Sequence, residues 1–274
     1  MSIEHVAAFS IEGIGGNPAG VMLCEVLPPA DVMQRIAREL GYSETVFAEP
    51  SQDGWRVRYF APATEVPFCG HATIALGAVL ARSKGDGIFA LQLNEGSISV
   101  EGRSGEPLSA ALQSPRTRSA ACPDDLLDAA LELFALKCDD LDPRLPPAII
   151  EAGARHLVLA LKQRDRLSAM AYDLDAGADL MRAHGVTTIA LVQAETTRRF
   201  HARNAFAAGG VAEDPATGAA AAAFGGYLRD RGWEHDGRIE IIQGEDMGQP
   251  CRLIVEIPDQ PGSGVRVSGE ARFL

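Results

Sequence analysis

The sequence predicts an α+β protein built from two pseudo-symmetric domains, each a curved, mostly antiparallel sheet wrapped around a central apolar helix. Three observations lead to this prediction. Two runs are apolar on every face of a helix, the order of elements around them repeats, and strands outnumber helices in each copy. Because a helix without a polar face must be surrounded by protein, we expect each one to be the buried centre of its domain.

A short polar motif precedes each apolar run. Residues 69–73 (CGHAT) precede a run that stays apolar to Ala81, and residues 214–218 (DPATG) precede a run without charge to Leu228. The pair Asp214-Pro215 is typical of a helix N-cap followed by proline in the first turn, which is how we interpret it.

The same order of elements surrounds both helices. Two strand-like runs precede each helix and a hairpin follows it. These runs are 44–49, 55–60, 87–93 and 97–101 in the first copy, with a turn at 94–96, and 188–192, 199–203, 238–242 and 251–256 in the second. Upstream, strand 17–23 and helix 29–40 match strand 156–161 and helix 177–184. Corresponding points lie about 145 residues apart, far beyond the roughly 20–50 residue period of solenoids, which indicates a duplicated domain.

The boundary between the copies is predicted near residues 114–118 (SPRTR), ahead of an acidic amphipathic helix over 124–137. The halves are then residues 1–116 and 117–274. We expect the last strand, within 263–274, to return to the first half.

Composition excludes several classes of protein. A net charge of −12 argues against nucleic-acid binding, which needs clustered basic residues. Five cysteines without C-x-x-C spacing indicate neither a disulfide framework nor a zinc site, so we predict a reducing cytoplasm and no metal. No run reaches the ~18 apolar residues of a membrane span. Residues 13–17 (GIGGN) precede a strand-like run instead of a helix, so we expect no dinucleotide, and no other cofactor motif is present.

Three titratable side chains lie near the predicted helix starts: Glu44, His71 and Asp214. Each has an ordinary structural explanation, since a glutamate that begins a strand is usually solvated and the other two residue types commonly begin helices. Their convergence favours proton transfer on a small carboxylate. Bare amides of Gly70, Thr217 and Gly218 would hold the substrate carboxylate, and a buried carboxyl with a raised pKa would accept and return a proton.

Several motifs resemble those of the PhzF-type phenazine-biosynthesis isomerases. They occur in the family's order over almost the whole chain, at residues 16–21 (GNPAGV), 43–47 (SETVF), 59–62 (YFAP), 65–73 (EVPFCGHAT), 213–218 (EDPATG) and 243–248 (QGEDMG). The resemblance implies a diaminopimelate-epimerase-like fold with its active site in the cleft between the halves. It also implies a cofactor-independent isomerase that moves a proton on a cyclic amino-acid-like substrate, and a homodimer.

The resemblance assigns roles to particular residues. Glu44 corresponds to the family's proton-shuttling carboxylate, with Ser43, His71 and Asp214 as its polar partners. Gly70 and Gly218 correspond to backbone donors in the substrate-binding set, which also includes Thr217 and the residue after Gly218. The family often has serine at that last position, whereas this chain has Ala219, which removes one hydroxyl from the expected substrate contacts.

Two alternatives remain open. Residues 69–71 (CGH) are similar to the first thiol motif of proline racemase and diaminopimelate epimerase, which would make Cys69 an acid–base group. That chemistry needs a thiol on each face of the stereocentre, and no cysteine lies near residues 214–218. The second alternative is a metabolite-binding or interaction protein of the same fold, whose polar cleft binds without catalysing.

Overall fold

The computed structural model describes residues 2–94 and 96–274, and it shows a mixed α/β fold with many strands and few helices. The predicted turn at 94–96 includes Glu95, which lies outside the described residues. The strands are β1 Glu4–Ser10, β2 Asn17–Leu23, β3 Glu44–Ser51, β4 Gly54–Phe60, β5 Glu65–Val66, β6 Gly87–Gln92, β7 Ser97–Arg103, β8 Ser109–Gln113, β9 Arg118–Ala121, β10 Ala148–Glu151, β11 Arg155–Leu161, β12 Thr188–Ala194, β13 Arg199–Ala205, β14 Glu213–Asp214, β15 Arg238–Gln243, β16 Cys251–Glu256 and β17 Arg266–Phe273.

The helices are α1 Ala30–Leu40, α2 Gly70–Lys84, α3 Asp124–Leu133, α4 Arg164–Ser168, α5 Leu174–His184 and α6 Gly218–Asp230. Across the part of the chain that the structure describes, none of these helices is both long and apolar enough to cross a membrane.

Eight strands pair in a closed ring. Its order is β1, β2, β3, β4, β6, β7, β8 and β17, and β17 pairs back with β1. Helix α2 packs against β1, β2, β3, β6, β7, β8 and β17, and its residues 70–81 are all buried. An apolar helix thereby keeps every face away from water.

A second set of strands runs β10, β11, β12, β13, β15, β16 and β17. Counted from β10 to β17, successive neighbouring strands pair in antiparallel, parallel, antiparallel, parallel, antiparallel and antiparallel orientation. The neighbouring strands from β1 to β8 in the ring pair in the same succession of orientations. Helix α6 packs against β9, β10, β11, β16 and β17, and its residues 218–228 are all buried. A duplicated domain would give the same succession of strand orientations twice. The division of the chain into residues 1–116 and 117–274 stays a prediction.

Two local predictions are wrong. Helix α3 ends at Leu133, four residues before the predicted position 137, because Ala135 takes a left-handed φ of 50° and closes the helix. Asp214 is not the N-cap of α6, which begins only at Gly218 after Thr217. Residues 213 and 214 instead pair with β13, which keeps the chain extended there.

The starts of α2 and α6 touch through two glycines. A Cβ placed on Gly70 would lie 2.6 Å from the Cα of Gly218 and 2.7 Å from the amide nitrogen of Ala219. A Cβ on Gly218 would lie 3.1 Å from the Cα of Gly70. Backbones approach this closely only where side chains are absent. The two polar helix starts are therefore neighbours.

Replacement of Gly70 by alanine should push the two helix starts apart. We expect Gly70→Ala to lower the free energy of unfolding by about 1–3 kcal/mol, the usual range for overpacking, as measured by urea denaturation. The matched control is Gly87→Ala, whose new Cβ would meet only the Phe89 Cζ at 3.8 Å. The control should change stability by less than about 0.5 kcal/mol. Equal effects of the two substitutions would contradict the importance of this contact.

Candidate active site

A small cavity of about 20 Å³ lies where α2 and α6 begin. Its volume is enough for about one water molecule. Seven of the residues predicted from the sequence line it: Glu44, Gly70, His71, Asp214, Thr217, Gly218 and Ala219. The eighth, Ser43, does not line the cavity, but its hydroxyl lies 3.3 Å from the Nε2 of His71. The other lining residues are Phe68, Cys69, Ala154, His156, Thr187, Thr188 and Phe206.

Glu44 is the first residue of β3 and is only 5% exposed. The solvated position typical of a strand-initial glutamate is therefore not found. Its Oε2 makes no hydrogen bond to any described residue and lies 3.6 Å from the Nε2 of His71. Burial, and secondarily the negative charge of Asp214, raise the pKa of Glu44 well above its usual range. The cavity thus contains a carboxyl group that favours the protonated form.

His71 is the second residue of α2 and is fully enclosed. Burial lowers its pKa to about 3, so the ring is neutral at physiological pH. Its Nδ1 lies 3.3 Å from the Sγ of Cys69, and burial raises the pKa of that thiol well above its usual range. A protonated thiol can donate to Nδ1 or to the neighbouring Glu44 carboxyl, and where it donates to Nδ1 the ring proton is on Nε2. The Nε2 atom lies near Ser43 and Glu44.

Asp214 is equally buried but has hydrogen-bond donors on both oxygens. The Nδ2 of Asn17 donates to Oδ1 and the Oγ1 of Thr217 donates to Oδ2, each at 2.6 Å. Burial raises the pKa of Asp214, while these hydrogen bonds act in the opposite direction. Ser43 and Cys69 lower the pKa of Glu44 in the same way, but among the described residues none donates to its Oε2, so a single negative charge shared by the pair is better placed on Asp214.

The amide groups at the helix starts are not all available. The N–H of Thr217 donates to the Oε1 of Gln243 at 3.2 Å, so the prediction of a bare Thr217 amide is wrong. Gly70 and Gly218 are the first residues of α2 and α6, where N–H groups have no acceptor within the helix. No lysine or arginine is among the described residues that line the cavity. An anion here would be bound by helix ends instead of by a cation.

Sequence reasoning missed several members of the site. Asn17 and Gln243, which hold Asp214 and Thr217, lay inside motifs that carry the family resemblance, so those motifs could have identified them. His156 and Thr188 gave no such signal. They meet because β11 and β12 pair in register, which no local pattern shows.

Glu44, Cys69 and His71 bring three ligand atoms within 4.8 Å of one another. Zinc takes these atom types, but a closed site needs four ligands. The trio could hold a metal ion only with a further ligand, and the absence of a resident metal stays a prediction.

Known proteins share this sequence and fold. The family model for phenazine biosynthesis-like proteins, PhzC-PhzF, matches residues 6–274. The chain is 34% identical over 275 residues to the trans-2,3-dihydro-3-hydroxyanthranilate isomerase of Pseudomonas aeruginosa, covering 96% of this chain and 91% of that protein. It is 31% identical over 289 residues to the uncharacterized isomerase YddE of Escherichia coli K12, covering 99% of this chain and 96% of that protein.

A solved structure described as a predicted epimerase from Pseudomonas aeruginosa superposes with a TM-score of 0.86, at 25% identity, covering 99% of this chain and 96% of that chain. These similarities define an isomerase with a mixed α/β fold. The chain belongs to the PhzC-PhzF family. The resemblance seen in the sequence motifs is confirmed.

The raised pKa of Glu44 predicts how stability depends on pH. The unfolded chain releases the Glu44 proton near pH 4.3, whereas the folded protein retains it. Folding therefore takes up a proton above that pH, and the wild type loses stability as pH rises toward the folded pKa. We expect Glu44→Gln, which cannot ionise, to become progressively more stable than the wild type between pH 5 and 8.

Urea denaturation at several pH values measures this effect. A pKa higher by one corresponds to about 1.4 kcal/mol, so we expect the stability difference to widen by more than about 1 kcal/mol across this range. At pH 4 the wild-type Glu44 carboxyl is largely protonated in both the folded and the unfolded state. The difference in stability between the two proteins at that pH therefore measures the effect of packing an amide in place of the carboxyl. Parallel pH curves for the two proteins would contradict the assignment.

Proposed function

We propose that this isomerase needs no cofactor and shifts a proton within a small cyclic carboxylate or amino-acid-like substrate, with Glu44 as the acid–base group. The observation that carries the proposal is the buried Oε2 of Glu44, which no described residue hydrogen-bonds, on the cavity where two helices begin. The named substrate of the Pseudomonas aeruginosa relative, trans-2,3-dihydro-3-hydroxyanthranilate, belongs to this chemical class.

The substrate carboxylate would lie against the starts of α2 and α6. Each helix start carries a partial charge of roughly +0.5, and the first amides of both helices reach the cavity through Gly70 and Gly218. Because the two starts are in backbone contact, their partial charges act on the same anion. This arrangement compensates a carboxylate without a buried lysine or arginine.

Asp214 would pair with the ammonium group of an amino-acid-like substrate. Its negative charge is one cause of the raised pKa of Glu44, so neutralising that charge lowers the Glu44 pKa. Substrate binding would therefore help to convert Glu44 to the carboxylate. The ionised Glu44 takes a proton from one ring carbon, and the resulting acid returns it to another carbon of the same conjugated system.

His71 and Ser43 would support both protonation states of Glu44. The Nε2–H of His71 lies close enough to stabilise the Glu44 carboxylate once it forms, and the Ser43 hydroxyl contacts the same nitrogen. The neutral ring takes no net charge during the cycle. General acid–base catalysis of this kind is worth roughly 10²–10⁴ in rate.

The cavity is smaller than a ring-sized substrate, so binding must widen it. We place the cleft between two pseudo-symmetric halves, residues 1–116 and 117–274, each a curved sheet around α2 or α6. The matching succession of strand orientations supports this division. Ala219 lines the cavity with a methyl group, so recognition at this position involves no side-chain hydroxyl. A cytoplasmic homodimer remains our expectation for the assembled protein.

Glu44→Gln tests the proposed base. The isomerase is incubated in deuterated water with trans-2,3-dihydro-3-hydroxyanthranilate and, separately, with a metabolite extract, and mass shifts are recorded. We expect the variant to lose at least about 100-fold in the rate of deuterium incorporation, because its amide cannot accept the proton. Glu49→Gln, on the same strand but bound to the amide of Leu27, is the control and should retain exchange.

Two results would contradict this proposal. Exchange at the wild-type rate in Glu44→Gln would show that another group is the base. A wild type that binds these compounds tightly yet never exchanges a proton would favour the binding-protein alternative.

Cys69→Ala separates the proposal from a two-thiol racemase. Cys69 is the only cysteine among the described residues that line the cavity, and Asp214 lies in the second helix-start motif where a second thiol would be needed. We expect Cys69→Ala to retain activity within about tenfold, because the proposal gives the thiol a hydrogen-bonding role beside His71 and Glu44 and no part in the proton transfer. Cys69→Ser keeps that donor and should be closer to the wild type in the exchange assay. Complete loss of activity in both variants would support thiol chemistry.

A further inference from the structure

His156 lines the cavity but takes no part in the proton transfer proposed above. It lies in β11 and is 1% exposed. Its Nδ1 lies 2.8 Å from the Oγ1 of Thr188, and its Nε2 is buried without a hydrogen-bond partner among the described residues. Buried polar atoms are almost always paired, so this nitrogen needs a partner that the described part of the chain does not supply.

The Thr188 hydroxyl determines which ring nitrogen carries the proton. Across residues 2–94 and 96–274 this hydroxyl makes no hydrogen bond other than that to His156. If Nδ1 carried the proton, the hydroxyl hydrogen and the Nε2 lone pair would both be unpaired. If the hydroxyl donates to Nδ1, a single group is left, the Nε2–H. The second arrangement leaves fewer unpaired groups, so His156 presents a hydrogen-bond donor.

The His156–Thr188 pair lies at a position in the second strand set, β10 to β17, that corresponds to the position of Glu44 in the ring of strands around α2. Glu44 begins β3, which runs parallel to β2, and Thr188 begins β12, which runs parallel to β11. In the first set this place carries a titratable carboxyl, and in the second it carries a hydroxyl that orients His156. The cavity therefore has an acid–base side and a side with a neutral donor.

We propose that the Nε2–H of His156, oriented by Thr188, donates a hydrogen bond to a neutral oxygen of the substrate, a hydroxyl or a carbonyl. The inference rests on the proposed function, since it assumes that this cavity is the substrate site. It restricts the substrate to a monocarboxylate that carries such an oxygen.

A second carboxylate would fit this position poorly. Burial lowers the pKa of His156 to about 3, so the ring is neutral at physiological pH. No lysine or arginine from the described part of the chain lines the cavity. The apolar surroundings include Phe68, Ala154 and Phe206, which would leave a second negative charge uncompensated.

Two probes that differ by one hydroxyl test the inference. 3-Hydroxyanthranilate and anthranilate are titrated into the whole protein by calorimetry. We expect the wild type to bind the hydroxylated compound about tenfold more tightly, the usual effect of one hydrogen bond. His156→Leu should bind the two compounds within about twofold of each other, because it has no donor. His156→Gln, whose amide N–H lies near the former Nε2, should keep the preference.

Equal affinity of the wild type for both compounds would overturn the inference. A preference that survives in His156→Leu would overturn it too. Because both variants alter a buried side chain, a second measurement uses the wild type alone. Nitrogen-15 spectra of the histidine rings should show His156 as a neutral ring protonated on Nε2, assigned by the signal missing from His156→Gln. A ring protonated on Nδ1 or on both nitrogens would overturn it as well.

The Glu44→Gln variant distinguishes a failure of this inference from a failure of the proposed function. It should lose deuterium exchange but keep the preference for the hydroxylated probe. If it exchanges normally and keeps the preference, the base is wrong and the role of His156 stands. If it loses exchange while the wild type shows no preference, the base stands and the role of His156 is wrong.

Discussion

The contact between Gly70 and Gly218 is the constraint on which the site depends. Two buried helices can begin side by side only where neither carries a Cβ, and here the Gly70 Cβ would come within 2.6 Å of the facing backbone. The contact directs two positive helix ends at one small cavity. Asp214, placed between them by Asn17 and Thr217, supplies a negative charge in the same space.

Burial then differentiates side chains that would behave alike in water. It raises the pKa values of Glu44 and Asp214 and lowers those of His71 and His156. Hydrogen bonding separates the two carboxyls further, because Asp214 has a donor on each oxygen whereas none of the described residues donates to the Oε2 of Glu44. The local environment therefore gives each of the two acids a different protonation state at rest.

The two strand sets share a succession of orientations but carry different chemistry at equivalent strand starts. The first set has Glu44 beside His71, and the second has Thr188 beside His156. At the helix starts, His71 follows Gly70 whereas Ala219 follows Gly218. The two strand sets therefore place a carboxyl group and a hydroxyl group at equivalent strand starts, each beside a buried histidine.

The sequence by itself determined the family, the order of elements and the two apolar helices, because periodicity and motifs are local properties of the chain. It also identified Glu44, His71 and Asp214 as candidate site residues. It misplaced the start of α6 and assigned a free amide to Thr217, and it did not reveal the His156–Thr188 pair. Those features depend on strand pairing and on contacts such as that between Asn17 and Asp214, which are 197 residues apart. Only the tertiary structure decided them, because burial and hydrogen-bond partners are set by which distant segments meet.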